Sequence, residues 1–200
     1  METDVALRLE GILNYVQLCG VVDSEVLNQK FFQLEGANPK TRRDVCARYL
    51  RKMVDRKEIY RMRGVHMKNY MYSIKPFSKS KSVLTYTQMA LESRAIFYLE
   101  QLGYDCLSIR RDYTLQKGFK IPCTVWLRWI TSNEDEFYFV EIASTKDRLD
   151  RVLEKYNYIY SSSLYESTFN QMPTLVIKTD FQVPDTSIKV IRIPYTTKDL

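Results

Sequence analysis

The segment KTRRDVCARYLRKMVDRKEIYRMR (residues 40–63) decides how the first third of this chain is expected to fold. It holds ten Lys or Arg residues and only three acids, Asp44, Asp55 and Glu58. Its first half carries apolar residues at the three- and four-residue spacing of a helix, and its second half alternates as a strand does. The segment therefore predicts a basic helix followed directly by a basic hairpin.

Two further helices are predicted before this segment. Residues 5–18 carry an apolar helical stripe, which Gly20 ends. Asp23 or Ser24 is placed to N-cap a second helix. Pro39 is placed to begin the third, because the first turn of a helix does not need its missing N–H.

The hairpin that follows the third helix is predicted from two short alternating runs. The strands are expected at Glu58–Met62 and Asn69–Ile74, and Gly64 lies in the turn RGVH between them. Three helices and a hairpin in this order predict a winged helix-turn-helix. In such a domain the third helix lies in the major groove of duplex DNA, with its N-terminal residues nearest the bases.

The basic residues of this helix and hairpin are the candidate contacts to DNA. Arginine can bind guanine through two hydrogen bonds, whereas lysine and threonine suit phosphate. A helix N-terminus also attracts phosphate. The candidates are Lys40, Thr41, Arg42, Arg43, Arg48, Arg51 and Lys52 in the helix and Arg61, Arg63 and Lys68 in the hairpin.

The charge of the chain is concentrated near its N-terminus. The formal net charge is +6 and the pI about 9.0. Residues 1–75 carry fourteen Lys or Arg against nine Asp or Glu, whereas residues 76–200 carry sixteen against fifteen. A local excess of this kind indicates a polyanionic partner, and we expect double-stranded DNA.

Composition and cysteine usage predict a cytoplasmic protein. The first ten residues, METDVALRLE, do not form a secretory signal, and no apolar run approaches the ~18 residues of a membrane span. The four cysteines are widely spaced without a CxxC pair, which is typical of reduced, buried thiols. We expect no membrane contact and no bound metal.

The rest of the chain predicts a second domain. We expect a winged-helix domain over residues 1–75, a linker over 76–83 rich in Pro, Ser and Lys, and an α/β (α+β) domain over 84–200. Its expected elements are a helix ended by Gly103, strands at Asp105–Tyr113, Ile121–Ile130 and Glu136–Ser144, a helix from Asp147 to about Tyr160, and strands at Thr174–Lys178 and Ile188–Ile193.

This order of elements resembles the PD-(D/E)xK nuclease fold, an α/β sandwich. The resemblance implies two carboxylates that hold Mg²⁺ and a lysine that assists the attacking water. Its two motifs align with Pro122-Cys123 and with Glu141-Ile142-Ala143, so a thiol and a methyl group replace the aspartate and the lysine. We therefore expect no catalytic activity and no cofactor.

An active Mg²⁺-dependent endonuclease is the alternative. In that case Asp112 supplies the second carboxylate beside Glu141, and Lys146 takes the role of the lysine, with help from Glu92. A metal would then be required.

The chain as a whole resembles the replication-relaxation family of bacterial plasmids and other mobile elements. The resemblance is carried by NPKTRRDVCARYLRKMVDRKEIYRMR (residues 38–63) and by FYFVEIASTKDRLDRVLEKYNYI (residues 137–159). It implies a non-catalytic, sequence-dependent DNA-binding protein in replication or its regulation. A homodimer and a replication or regulatory protein partner are further expectations, since one winged helix covers only a short half-site. A transcription regulator and a protein-protein adaptor remain alternatives.

Overall fold

Two compact units make up the chain. The computed structural model describes residues 2–33, 36–65 and 67–195, without the side chains of residues 2 and 3. One unit runs to Arg94 and the other begins at Ala95, so the chain passes from one to the other inside a helix, Val83–Gln101. The domain limits expected from the sequence (1–75, 76–83 and 84–200) stay a prediction.

The first unit combines helices with a small antiparallel sheet. β3 lies between β1 and β2 and pairs with both. The three predicted helices and the hairpin are confirmed, whereas the two-residue strand β1 was not expected. The elements in chain order are α1 (Glu2–Cys19), β1 (Val22–Asp23), α2 (Ser24–Phe31), α3 (Pro39–Asp55), β2 (Tyr60–Arg63), β3 (Tyr70–Ser73) and the first part of α4 (Val83–Gln101).

Asp23 joins three of these elements. Its side chain accepts hydrogen bonds from the backbone N–H groups of Glu25 and Val26, which caps the N-terminus of α2. The same carboxylate is fully buried and forms an ion pair with Arg94 of α4. Beside it, the Ser93 hydroxyl donates to the Val21 carbonyl at 2.6 Å. The first part of α4 is thereby fastened to β1 and α2.

The limits of α3 follow from its local sequence. Asn38 accepts a hydrogen bond from the Thr41 N–H, and Pro39 occupies the first turn, as predicted. At the other end the backbone N–H of Glu58 donates to the Met53 carbonyl and the backbone N–H of Lys57 donates to the Val54 carbonyl, both at 3.0 Å. This is the Schellman arrangement, which requires a left-handed residue, and Lys57 has φ +60°.

The left-handed position of Lys57 generates a stability prediction. A side chain in this conformation costs about 1 kcal/mol, which glycine avoids. We expect Lys57→Gly to raise the free energy of unfolding by about 0.5–1 kcal/mol, measured by urea titration followed by far-UV circular dichroism.

Arg56 is the matched control for this substitution. It is the neighbouring basic residue and has an ordinary φ of −82°. Arg56→Gly should therefore lower the free energy of unfolding by roughly 0.5–1 kcal/mol. Equal losses at both positions would show that Lys57 is not left-handed.

The second unit is a five-stranded mixed sheet with helical elements. The strand order is β4-β5-β6-β7-β8; β4, β5 and β6 are antiparallel, and β6, β7 and β8 are parallel. The predicted mixed α/β class and the order of elements are confirmed. The strands are β4 (Tyr104–Thr114), β5 (Lys120–Trp129), β6 (Asp135–Ile142), β7 (Thr174–Lys178) and β8 (Val190–Ile193), and α5 (Lys146–Ser161) lies between β6 and β7.

Each face of the sheet contributes to a separate apolar core. One core contains Ala95, Ile96 and Leu99 of α4 with inward side chains of β5 and β6. The other contains the apolar face of α5. Its α5 members, all buried, are Leu149, Val152, Leu153, Tyr156 and Ile159.

At one point along β4 and β5 the alternation of side chains between the two faces of the sheet is interrupted. Ile121 belongs to the core under α5, whereas Cys123, only two residues later, belongs to the core under α4. Regular pleating would place both on the same face. The interruption occurs at Pro122, and the facing strand has a left-handed residue there, Asp112 with φ +53°.

Candidate nucleic-acid interface and the buried glutamate

The exposed side of α3 is the basic surface that the sequence predicted for the first unit. Cys46, Leu50 and Met53 are buried and fix which side faces the core. Helical geometry places the opposite residues on one outer face, called the α3 face below. Its members, all exposed, are Lys40, Thr41, Asp44, Ala47, Arg48, Arg51, Lys52 and Asp55.

Two of the predicted DNA contacts have partners inside the protein. Arg42 is half-buried; its Nε donates to the Ala37 carbonyl at 2.9 Å and its Nη1 to Gln33 at 2.6 Å. Arg43 lies at the flank of the α3 face, with its Nε 3.7 Å from the Glu25 carboxylate of α2. These guanidinium groups hold the start of α3 in place, a role that the sequence analysis missed.

Asp44 and Asp55 place negative charge on the α3 face. Each lies four residues from an arginine of the same face, Arg48 and Arg51 respectively, so helical spacing brings the opposite charges together. The face therefore combines four cations with two acids. Its positive excess is smaller than the count of basic residues in the segment suggests.

The predicted basic residues of the hairpin are exposed. Arg61 and Arg63 lie on β2 and Lys68 in the turn, and the Arg61 guanidinium lies over the Tyr70 ring at 5.1 Å. Gly64 is required for space, because a Cβ there would come within 2.7 Å of the Met67 sulfur. His66 lies outside the described residues.

The hydroxyl group of Tyr72 on β3 is affected by charges of both α3 and the hairpin. Burial raises the pKa of its hydroxyl to about 12, and the nearby Cys46 thiol adds to the effect. Arg61 of the hairpin and Arg51 of α3 both act in the opposite direction on this pKa. Cations of the α3 face and of the hairpin thus lie near the same hydroxyl group.

Glu141 of β6 is a fully buried carboxylate that has several partners. Its Oε1 accepts hydrogen bonds from the Lys155 ammonium and, at 3.2 Å, from the Tyr156 hydroxyl. Its Oε2 is 3.3 Å from Nη2 of Arg148. All three partners belong to α5, and Thr145 caps that helix by accepting from the Arg148 N–H. The cluster holds α5 against β6.

The surroundings of Glu141 also affect Tyr156. Burial raises the pKa of the Tyr156 hydroxyl well above its ordinary value, and the adjacent Glu141 charge adds to the rise. The hydroxyl therefore stays protonated at neutral pH and can donate its hydrogen bond to Glu141. Lys155 in turn lies over the Tyr156 ring, with its Nζ 4.4 Å from the ring centre.

The residues predicted for an active nuclease do not converge on Glu141. Lys146 is an exposed residue at the start of α5, 4.0 Å from Asp150. Asp112 is exposed on β4, and β5 separates it from β6, which places the two backbones about 10 Å apart. Glu92 of α4 accepts a hydrogen bond from Gln88. Cys123 and Ala143, at the motif positions, are buried among apolar side chains.

The donor set around Glu141 does not fit Mg²⁺. The ion requires several oxygen ligands in octahedral geometry, and both Glu141 oxygens already accept from cations. Within residues 2–33, 36–65 and 67–195, no three His, Cys, Asp or Glu side chains are grouped so that they could hold a metal ion.

The sequence matches no protein-family model and no curated protein, and the fold matches no solved structure. Among the described helices, none is both long and apolar enough to cross a membrane.

A pair of lysine substitutions tests the structural role of the Glu141 cluster. Lys155→Met leaves a buried carboxylate with one cation fewer, so the free energy of unfolding should fall by about 2–4 kcal/mol. Lys146→Met on the same helix should change it by no more than about 0.5 kcal/mol. Both tryptophans, Trp126 and Trp129, lie in the second unit, so urea unfolding followed by their fluorescence reports on it.

The double variant Glu141→Leu/Lys155→Met provides the control. It removes the carboxylate together with its cation, and should recover at least half of the stability lost in Lys155→Met. If Lys146→Met were as costly as Lys155→Met, the cluster would have been assigned to the wrong lysine.

Proposed function

We propose that the first unit is a winged helix that binds double-stranded DNA through the α3 face and the β2–β3 hairpin. The observation that supports this most is topological. The order α1-β1-α2-α3-β2-β3, with β3 between β1 and β2, is the arrangement that presents a third helix and a hairpin to DNA. Both presented elements are basic, and one cation from each, Arg51 of α3 and Arg61 of the hairpin, lowers the pKa of the Tyr72 hydroxyl.

The proposed docking assigns different tasks to the cations. α3 enters the major groove, where Arg48 and Arg51 reach base edges or phosphates and Lys40 and Lys52 contact phosphates. The hairpin lies along the flanking DNA backbone, where Arg61, Arg63 and Lys68 contact phosphates. Arg42 and Arg43 act indirectly, because their guanidinium groups position α3.

We further propose that the second unit is a PD-(D/E)xK-like domain without catalytic activity. Three antiparallel strands, a helix and a parallel strand follow α4 in the order of that fold. The one carboxylate that remains of its motif, Glu141, is enclosed by Lys155, Arg148 and Tyr156. The unit then serves as a scaffold, for a second copy of the chain or for another protein, in replication or its control on a mobile element in the cytoplasm.

Duplex binding across a salt series tests the proposed interface. Each phosphate contact contributes about 0.9 to the slope of log affinity against log salt concentration. The variant Arg48→Ala/Arg51→Ala should weaken binding and lower that slope by up to about 1.8. Fluorescence anisotropy of a labelled duplex measures both quantities.

Lys79→Ala/Lys81→Ala is the matched control, since it removes the same charge at exposed residues outside the α3 face. It should leave the slope nearly unchanged. Equal effects of the two double variants would indicate attraction to net charge alone, and the absence of binding at low salt would favour a protein-protein adaptor. Cleavage of the duplex in Mg²⁺ that Glu141→Ala abolishes would favour the endonuclease.

The acids of the α3 face give a second prediction, of opposite sign. Asp44 lies among the proposed phosphate and base contacts, so its charge repels DNA. Asp44→Asn should tighten duplex binding by roughly three- to tenfold at low salt, and the gain should shrink as salt screens the repulsion. Glu10→Gln on α1 is the control for removal of an acid elsewhere in this unit. Weaker binding in Asp44→Asn would place DNA on another surface.

A further inference from the structure

The turn between β4 and β5 is a basic, aromatic tip of the second unit. Leu115 is buried and anchors the turn, with its N–H donating to the Phe119 carbonyl at 2.8 Å. Beyond it, Lys117 and Lys120 are exposed on either side of Phe119. The turn thus carries an exposed lysine before and after Phe119 in sequence.

The turn holds Lys117 in a strained left-handed backbone conformation that glycine would adopt without strain. Lys117 has φ +56° and is followed by Gly118 with φ +78°. A left-handed lysine costs about 1 kcal/mol relative to glycine, and glycine would fit because this position is exposed.

Phe119 stacks on an exposed tyrosine of α5. The ring centres of Phe119 and Tyr158 are 5.4 Å apart, with 30° between their planes. Tyr158 is 46% exposed although it lies on a helix whose apolar face is otherwise buried. A partly exposed ring held by a second ring is a platform on which a further flat group can stack.

The charges near this platform suit an anionic ligand. The exposed residues Lys117 and Lys120 lie within two residues of Phe119, and on α5 Glu154 lies one turn and Arg151 two turns before Tyr158, so positive charges outnumber negative ones here. Stacked aromatic rings beside lysines are the means by which proteins hold unpaired nucleobases and the phosphates between them. A base pair inside a duplex cannot present its flat face in this way.

We infer that the Phe119–Tyr158 platform, with Lys117 and Lys120, binds single-stranded nucleic acid. Unpaired bases stack on the exposed ring surface, and the two ammonium groups contact the adjoining phosphates. This site belongs to the second unit and does not depend on the α3 face.

The test uses the full chain with Arg48→Ala/Arg51→Ala as background, which separates this site from the proposed duplex interface. The probe is a fluorescein-labelled oligothymidylate, measured by anisotropy beside a duplex of equal length. Adding Tyr158→Leu should weaken oligothymidylate binding by about five- to a hundredfold, as expected for the loss of one stacked base. Lys117→Gly with Lys120→Ala should weaken it and reduce its salt dependence.

Tyr160→Leu is the matched control. Tyr160 lies on the same helix, is 41% exposed and stacks on Tyr165, but its neighbour there is Glu166 instead of a lysine. It should leave binding unchanged. Equal losses in Tyr158→Leu and Tyr160→Leu, or no oligothymidylate binding in the background variant, would overturn the inference, whatever the result with the duplex.

Discussion

The buried carboxylate of Asp23 is the interaction on which the first unit depends. It caps α2, lies on the strand that pairs with β3, and forms an ion pair with Arg94 of α4. A buried charge must be compensated, so these three elements can only assemble together. α2 also contacts the basic helix, since its Glu25 carboxylate lies 3.7 Å from Nε of Arg43 on α3.

The buried acids Asp23 and Glu141 have comparable structural roles in different units. Asp23 connects α2 and β1 to α4, and Glu141 connects β6 to α5. The cation that pairs with Asp23 lies 71 residues later in the chain, whereas those that pair with Glu141 lie on the helix that follows β6. Glu141, which the resemblance to the nuclease fold places at a motif position, thus holds β6 and α5 together here. The exposed charges, on α3, on the hairpin and on the β4–β5 turn, are the ones available to a ligand.

Local signals were sufficient to predict most of the fold. Pro39 marks the start of α3, and the predicted limits of α5, Asp147 to about Tyr160, lie within about one residue of the observed ones, Lys146–Ser161. The candidate site was predicted less well, since side-chain partners depend on tertiary packing. Arg42 turns back to the segment before α3, and Lys155, not Lys146, reaches Glu141 because it lies on the side of α5 that faces the sheet.

The Glu141 cluster has a consequence for recognising relatives of this chain. Its ionic members recur at intervals of seven residues, Glu141, Arg148 and Lys155, which is two helical turns between the cations. Substitution of Glu141 or Lys155 alone would leave the other charge without its partner, which is unfavourable. Proteins that descended from the same ancestor should therefore keep this spacing, or exchange both charges together, even where the surface residues have diverged beyond recognition.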